Sequence, residues 1–265
     1  MGNFRKIVNN VIRDADVILI ILDARMVEET RNIVLETMVK DLGKPLIYVI
    51  TKSDLVTEKE NVETQKKEFF SAPKVKLLSE YKRELKPCVF VSSTKYYGVN
   101  ILREKIMIES KRYKIERMPI RVGVIGYPNV GKSSLINAMS GRGAASTSTM
   151  SGHTRGVQNI RADNTITFLD TPGVIPFKET DKTKHAIIGS IDYTKTEDPD
   201  LVVMKIMENY PGIIEKYYEV EMSDDYEETI KEITKKKKLV VKNNEPDIEK
   251  MSRQILKEWQ TGKIK

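Results

Sequence analysis

The sequence predicts an α/β protein: a mainly parallel sheet made of βαβ units over residues 1–178, then a small all-helical domain over residues 179–265. Three observations carry this. Over the first 178 residues, short apolar runs rich in β-branched residues alternate with segments of helical period, the pattern of strands joined by crossover helices. One of those runs leads directly into the glycine-rich stretch GYPNVGKS, Gly126 to Ser133. After about residue 178 the strand signals stop and only helical periodicity continues.

The strands are VILIIL at 17–22, PLIYVI at 45–50, CVFV at 88–91 and RVGVIG at 121–126. Each is too short for a buried helix and is followed by polar or turn residues. Between the first two, Ile33, Val34, Met38 and Leu42 share one helical face, and Gly43 stands where a helix-ending glycine belongs. Residues 157–170 read as a β-hairpin, two alternating segments flanking Asp163-Asn164. Beyond residue 178, HAIIGSI, DPDLVVMKIMENY, YEETIKEIT and DIEKMSRQILKEW are helical in period. In the last of these Ile248, Met251, Ile255 and Trp259 share a face, with Pro246 near its start and Gly262 past its end.

Composition narrows the function classes. Apolar residues make up 40% of the 265 residues, enough for a packed core and too much for disorder throughout. No apolar run approaches the ~18–20 residues that span a bilayer, and residues 1–16 show no apolar signal segment. A single cysteine, Cys88, excludes an internal disulfide framework and argues against a cysteine metal cluster. A cytoplasmic protein is expected. The net charge of +7 is unevenly spread: residues 1–180 carry +9, residues 181–228 carry −8 and residues 229–265 carry +6. The two basic stretches are suited to a polyanionic partner.

GYPNVGKS fits G-x-x-x-x-G-K-[ST], after a strand and at the start of a helix. Glycines let the backbone curl so that successive N–H groups point at phosphate oxygens, and the helix N-terminus adds its positive end. Lys132 is placed to reach the β- and γ-phosphates and the Ser133 hydroxyl to bind Mg²⁺. This motif specifies a nucleoside triphosphate but not its base. TKSD, Thr51 to Asp54, follows the strand PLIYVI and resembles the N-K-x-D guanine motif of GTPases. A carboxylate at Asp54 accepts from both N1–H and the 2-amino group of guanine. Against adenine it would be desolvated and unpaired. Lys52 is expected along the base and the phosphate loop. Thr51 departs from the usual asparagine, which predicts weaker base or loop contacts.

VFVSSTKYYG, residues 89–98, ends another strand and resembles the S-A-K guanine loop, with Ser93 in the small-residue place beside Ser92. DTPG follows the strand ITFL. Its Asp170 is the candidate carboxylate on Mg²⁺ through water, and the Gly173 N–H the candidate γ-phosphate sensor. The segment GRGAASTSTMSGHTRG between them is polar and glycine-rich, as a switch should be. Thr154 is its best candidate for a Mg²⁺-binding threonine, with Ser151 and Thr149 as alternatives, and His153 reads as a bystander. The nucleotide set is therefore Thr51, Lys52, Ser53, Asp54, Ser92, Ser93, Asn129, Val130, Gly131, Lys132, Ser133, Ser134 and Gly173, and the metal set is Ser133, Thr154 and Asp170.

The order of these motifs is the most specific signal. GTPases ordinarily run P-loop, switch threonine, DxxG, N-K-x-D, S-A-K. This chain runs TKSD–SST–GYPNVGKS–T–DTPG, a circular permutation of the same cycle. With DADVILIILDAR at 14–25, TRN at 30–32, and AIIGSI and DIEKMSRQILKEWQTGKI in the tail, it resembles the circularly permuted ribosome-assembly GTPases, the YlqF/RbgA group, over nearly its whole length. The resemblance implies a P-loop GTPase domain that converts GTP to GDP and phosphate. It implies a helical C-terminal domain contacting rRNA and the large ribosomal subunit as partner, with no membrane and no DNA.

Two departures bear on catalysis. Val174 stands where many GTPases carry a water-orienting glutamine, and neither His153 nor His185 stands near the N-terminus, where bacterial relatives carry a catalytic histidine. Turnover is expected to be slow alone and stimulated by ribosomal particles. Asn129 resembles the asparagine of potassium-dependent GTPases, which makes Asn129 and Lys132 the catalytic candidates and K⁺ a candidate beside GTP, GDP and Mg²⁺. The competing reading is that Asn129 only shapes its loop. Two other functions compete with a hydrolysing switch. A P-loop kinase acting on a small acceptor leaves TKSD and SST unexplained, whereas a GTP-binding scaffold with little turnover is consistent with Val174.

Overall fold

A computed structural model describes residues 2–56, 84–141, 157–171, 173, 181–241 and 245–264. They divide into two compact units, the first ending before residue 181 and the second running from Asp181 to the C-terminus.

The first unit is built on a six-stranded sheet. Helix α1 (Gly2–Asp14) leads into β1 (Val17–Asp23), followed by α2 (Ile33–Asp41), β2 (Leu46–Thr51) and β3 (Cys88–Phe90). Then come α3 (Val99–Arg112), β4 (Ile120–Ile125), α4 (Lys132–Ser140), β5 (Gln158–Arg161) and β6 (Ile166–Asp170). The spatial order is β3-β2-β1-β4-β6-β5, parallel throughout except for β5, which pairs antiparallel with β6. All seven residues of β1 and all six of β2 are buried, which is why these strands read as unbroken apolar runs rather than alternations. The β5–β6 hairpin turns at residues 162–165, held by Asp163 Oδ1 accepting from Ile166 N at 3.0 Å. Renumbered from β4, the sheet order becomes 2-3-1-4-5-6. The chain has been cut and rejoined without changing the sheet.

This topology locates the crevice. From β1 the chain moves outward through β2 to β3, and from β4 it moves the other way to β6 and β5. Ligands of open α/β sheets bind beyond the carboxyl ends of the strands where the winding reverses. Here that point lies between β1 and β4, whose following loops are residues 24–32 and 126–131.

Helix α2 corrects the sequence reading. Ile33, Val34 and Leu42 are 56, 70 and 46% exposed, and the inward face is Leu35, Glu36 and Val39, one position along. A one-residue offset turns a helix by about 100°. The inward face is fixed by a buried polar cluster: Glu36 accepts from Arg31 Nη2 at 2.7 Å and from the Tyr48 hydroxyl at 2.8 Å. Asn32 caps the helix by accepting from Leu35 N at 3.2 Å. The apolar periodicity is real, but of its stripe Met38 packs partly against the core while Ile33, Val34 and Leu42 face solvent.

The second unit is helical: α5 (Lys182–Ile187), α6 (Pro199–Asn209), α7 (Ile213–Tyr218), α8 (Tyr226–Lys236) and α9 (Ile248–Gln260). Asp181, Asp225 and Asp247 each accept from a backbone N–H of the first turn that follows. Met251, Ile255, Leu256 and Trp259 of α9 are buried, and the Trp259 indole N–H donates to Ile187 O at 2.9 Å. At the end of α8, Lys236 Nζ donates to Tyr218 O and Lys237 Nζ lies 5.3 Å from the Tyr218 ring centre. Among the described residues no helix is long and apolar enough to cross a membrane.

Candidate nucleotide-binding site

The loop between β4 and α4 is shaped by close approach. A Cβ on Gly126 would stand 2.6 Å from Ile21 O of β1, so only glycine lets the two strands' ends come together here. Asn129 has φ 61° and Gly131 φ 100°, and these left-handed residues turn the backbone into the helix. Lys132 is 7% exposed and folds back over the loop, its Nζ donating to Gly126 O at 3.0 Å and Tyr127 O at 2.5 Å. Burial brings its pKa down to about 8, against the pull of Asp170. Val130 is buried and Ser134 exposed at the start of α4.

Beside the loop, Asp170 at the end of β6 is 1% exposed. Its Oδ2 accepts weakly from the Ser133 hydroxyl at 3.4 Å, and its Oδ1 is buried with no hydrogen bond. Burial pushes this carboxyl up despite the Lys132 ammonium and the Ser133 hydroxyl. An orphaned buried carboxylate oxygen next to a serine hydroxyl is a donor set that fits a hard divalent cation. Gly173 lies against the same loop, since a Cβ there would stand 2.5 Å from both Pro128 Cα and Pro128 N. The Thr171 hydroxyl donates to Val124 O at 2.8 Å, tying the segment after β6 to β4. Thr154, its alternatives Ser151 and Thr149, and Val174 lie outside the described residues.

The loops after β2 and β3 meet. Ser53 N donates to Val91 O at 3.3 Å, and the Thr94 hydroxyl lies 3.4 Å from Asp54 Oδ2. Ser92 is 1% exposed, and its Oγ accepts from Lys95 N at 3.1 Å; Ser93 is half-buried. Gly98 closes the turn, where a Cβ would collide with Phe90 O at 2.0 Å. Thr51 makes a loop contact of its own. Its buried hydroxyl stands 2.9 Å from Leu22 O and 2.5 Å from Val130 O, joining β1, β2 and the phosphate loop. Lys52 reaches across to the end of β1. Its backbone is left-handed, φ 56°, and its Nζ donates to Asp23 Oδ2 at 2.7 Å. Asp23 and Arg25, which none of the motifs contains, thus stand beside the loop after β2. The sequence marks this position only as a charged residue ending a central buried strand, at the point where the winding reverses.

These features define a class: a P-loop GTPase domain whose phosphate loop, the buried carboxylate ending β6 and the joined loops after β2 and β3 lie at the carboxyl ends of the strands of a circularly permuted sheet. The chain belongs to the family described as 50S ribosome-binding GTPase, whose family profile matches residues 121–257. A second profile, described as ethanolamine utilisation - propanediol utilisation, matches residues 2–80. A GTP-binding protein of Methanocaldococcus jannaschii is 38% identical over 264 residues, covering 98% of this chain and 65% of its own length. Nucleolar GTP-binding protein 2 of Saccharomyces cerevisiae is 30% identical over 258 residues, covering 96% of this chain and 50% of its own. The chain thus spans less than two thirds of these relatives. The crystal structure of GNP-bound YlqF from T. maritima has the same fold, with a TM-score of 0.62 at 22% identity over 98% of this chain and 94% of that one.

Proposed function

We propose that the chain is a guanine-nucleotide switch that hydrolyses GTP and acts on the large ribosomal subunit during its assembly. The observation that carries the nucleotide half is the meeting of the loops after β2 and β3: Asp54, with acceptor oxygens and no donor, stands beside the small residues of SST. The ribosomal half is supported by the family to which the chain belongs and by nucleolar relatives. In this reading the loop backbone from Asn129 to Ser134 and Lys132 hold the phosphates. Mg²⁺, when bound, neutralises charge on them, and Ser133 and Asp170 hold it. The Gly173 N–H registers the third phosphate, and the helical unit begins eight residues later at Asp181. The covalent path from a phosphate contact to the second unit is therefore short. The helical unit is the proposed rRNA contact, through the net +6 of residues 229–265.

Co-sedimentation with purified large and small subunits tests this. Binding to large subunits that differs between GDP and a non-hydrolysable GTP analogue is expected, and equal or absent binding in both states would refute the switch. A second reading, a GTP-binding scaffold, is favoured by Val174, which cannot hydrogen-bond an attacking water. It predicts nucleotide-dependent binding without phosphate release.

Asn129 supplies a further test. If its side-chain oxygen helps hold a monovalent cation beside the phosphates, replacing Na⁺ by K⁺ at constant ionic strength should raise hydrolysis about tenfold, some 1.4 kcal/mol at the transition state. Because Asn129 has φ 61°, Asn129→Gly removes the side chain without backbone strain. That variant should lose the K⁺ preference while keeping most of its nucleotide affinity. Equal rates in both salts, with and without ribosomal subunits, would leave Asn129 as loop structure.

A further inference from the structure

At the point where the winding reverses, the sheet presents a carboxylate that none of the nucleotide motifs contains. Asp23 ends β1, is 1% exposed, and lies in register with Thr51 of β2. Both of its oxygens are engaged. Oδ2 accepts from Lys52 Nζ at 2.7 Å and from Arg25 Nη2 at 2.8 Å, while Oδ1 accepts from Arg25 N and Nε at 3.0 Å each. Its own N–H donates to the Thr30 hydroxyl at 3.1 Å, and that hydroxyl donates to Met26 O at 2.7 Å. The loop after β1 is thereby wrapped around one side chain.

We infer that Asp23 is a positioning residue for the guanine site, acting through Lys52; this rests on the guanine-nucleotide reading above. Three features support it. Lys52 is held in a left-handed backbone conformation, which for a residue other than glycine persists only where its surroundings impose it. Asp23 is the acceptor that fixes the other end of that side chain, so the four-carbon stem between is constrained at both ends. A free lysine would have more rotamer entropy to lose on binding. Finally, the pairing gathers two cationic side chains, Arg25 and Lys52, on one carboxylate at the carboxyl ends of β1 and β2, the side of the sheet on which ligands of open α/β sheets bind. Burial alone would push the Asp23 carboxyl up, but Arg25 and Lys52 outweigh it and hold it well below the usual carboxylate range. The carboxylate therefore stays charged at neutral pH.

The test is a double-mutant cycle on the full chain, read as displacement of fluorescent GDP by GDP and GTP, with thermal melts alongside. Asp23→Asn and Lys52→Ala should each weaken GDP binding about tenfold, and the double variant should bind within about twofold of Lys52→Ala alone. Asp23→Glu, which keeps the charge, should retain most of the affinity. If Asp23→Asn does not fold, Lys52→Arg, which can still pair with Asp23, should keep more affinity than Lys52→Met, which cannot, and equal losses in the two would overturn the proposal. Losses that multiply in the double variant would overturn the proposal while leaving the guanine reading intact, as would wild-type affinity in Asp23→Asn. A wild-type protein that binds no guanine nucleotide would overturn both.

Discussion

Asp54→Asn is expected to exchange one purine for another. In the proposed site a carboxylate accepts from N1–H and from the 2-amino group of guanine, two donors met by two acceptors. An asparagine offers one acceptor and one donor, so the 2-amino group would face an N–H. Xanthine carries an oxygen at that position, and the amide N–H would then donate to it while the amide oxygen still accepts from N1–H. Sites built to hydrogen-bond a polar substituent reject the mismatched analogue by several orders of magnitude, because a buried polar group is left unpaired. GTP affinity should therefore fall by about 100-fold or more, and xanthosine triphosphate should become the better ligand. The fold should be unaffected, since Asp54 lies in a short turn (Ser53–Leu55) and among the described residues its side chain meets the Thr94 hydroxyl alone, at 3.4 Å. Competition of the two triphosphates against fluorescent GDP reads the result. A parallel loss of both would mean that Asp54 does not face the base.

The sheet and the phosphate loop were legible in the sequence because both are local. A strand buried on both faces has to be an unbroken apolar run, as in β1 and β2, and a loop that wraps phosphate needs glycines at fixed positions. Even the permutation could be read, because it is a matter of motif order alone. What could not be read depends on which groups meet across the fold. The stripe Ile33–Val34–Met38–Leu42 is periodic, but periodicity reports the angle between apolar residues, not the side the core lies on. The buried cluster of Arg31, Glu36 and Tyr48 decides that, and its members are brought together only by folding. Thr51 shows the same limit in reverse. Standing in place of asparagine it predicts weaker base or loop contacts, and the contact its hydroxyl makes with the Val130 carbonyl is visible only in the fold. Lys52 and Asp23 stand 29 positions apart, and no motif spacing connects them.

Asp170→Asn should have two effects of opposite sign. The carboxylate is buried, one oxygen has no hydrogen bond, and burial pushes its pKa up. A neutral amide of the same shape removes a buried charge, which costs more than an imperfectly satisfied neutral group. It can still accept from Ser133. Lys132 loses an attractive neighbour, but it keeps its two loop carbonyls, and its lowered pKa of about 8 makes the neutral amine accessible. In chelator and without nucleotide, the variant should therefore be more stable by roughly 1 kcal/mol, a rise of about 2–4 °C in Tm. With Mg²⁺ and GTP the order should reverse. A carboxylate is a far better partner for a divalent cation or its bound water than an amide, so hydrolysis should fall about 100-fold or more and added Mg²⁺ should no longer tighten GTP binding. Stability that rises as function falls is the mark of a group kept for its ligand rather than its fold. A lower Tm without nucleotide, together with an undiminished Mg²⁺ response, would instead make Asp170 a structural partner of Lys132 and move the metal site elsewhere.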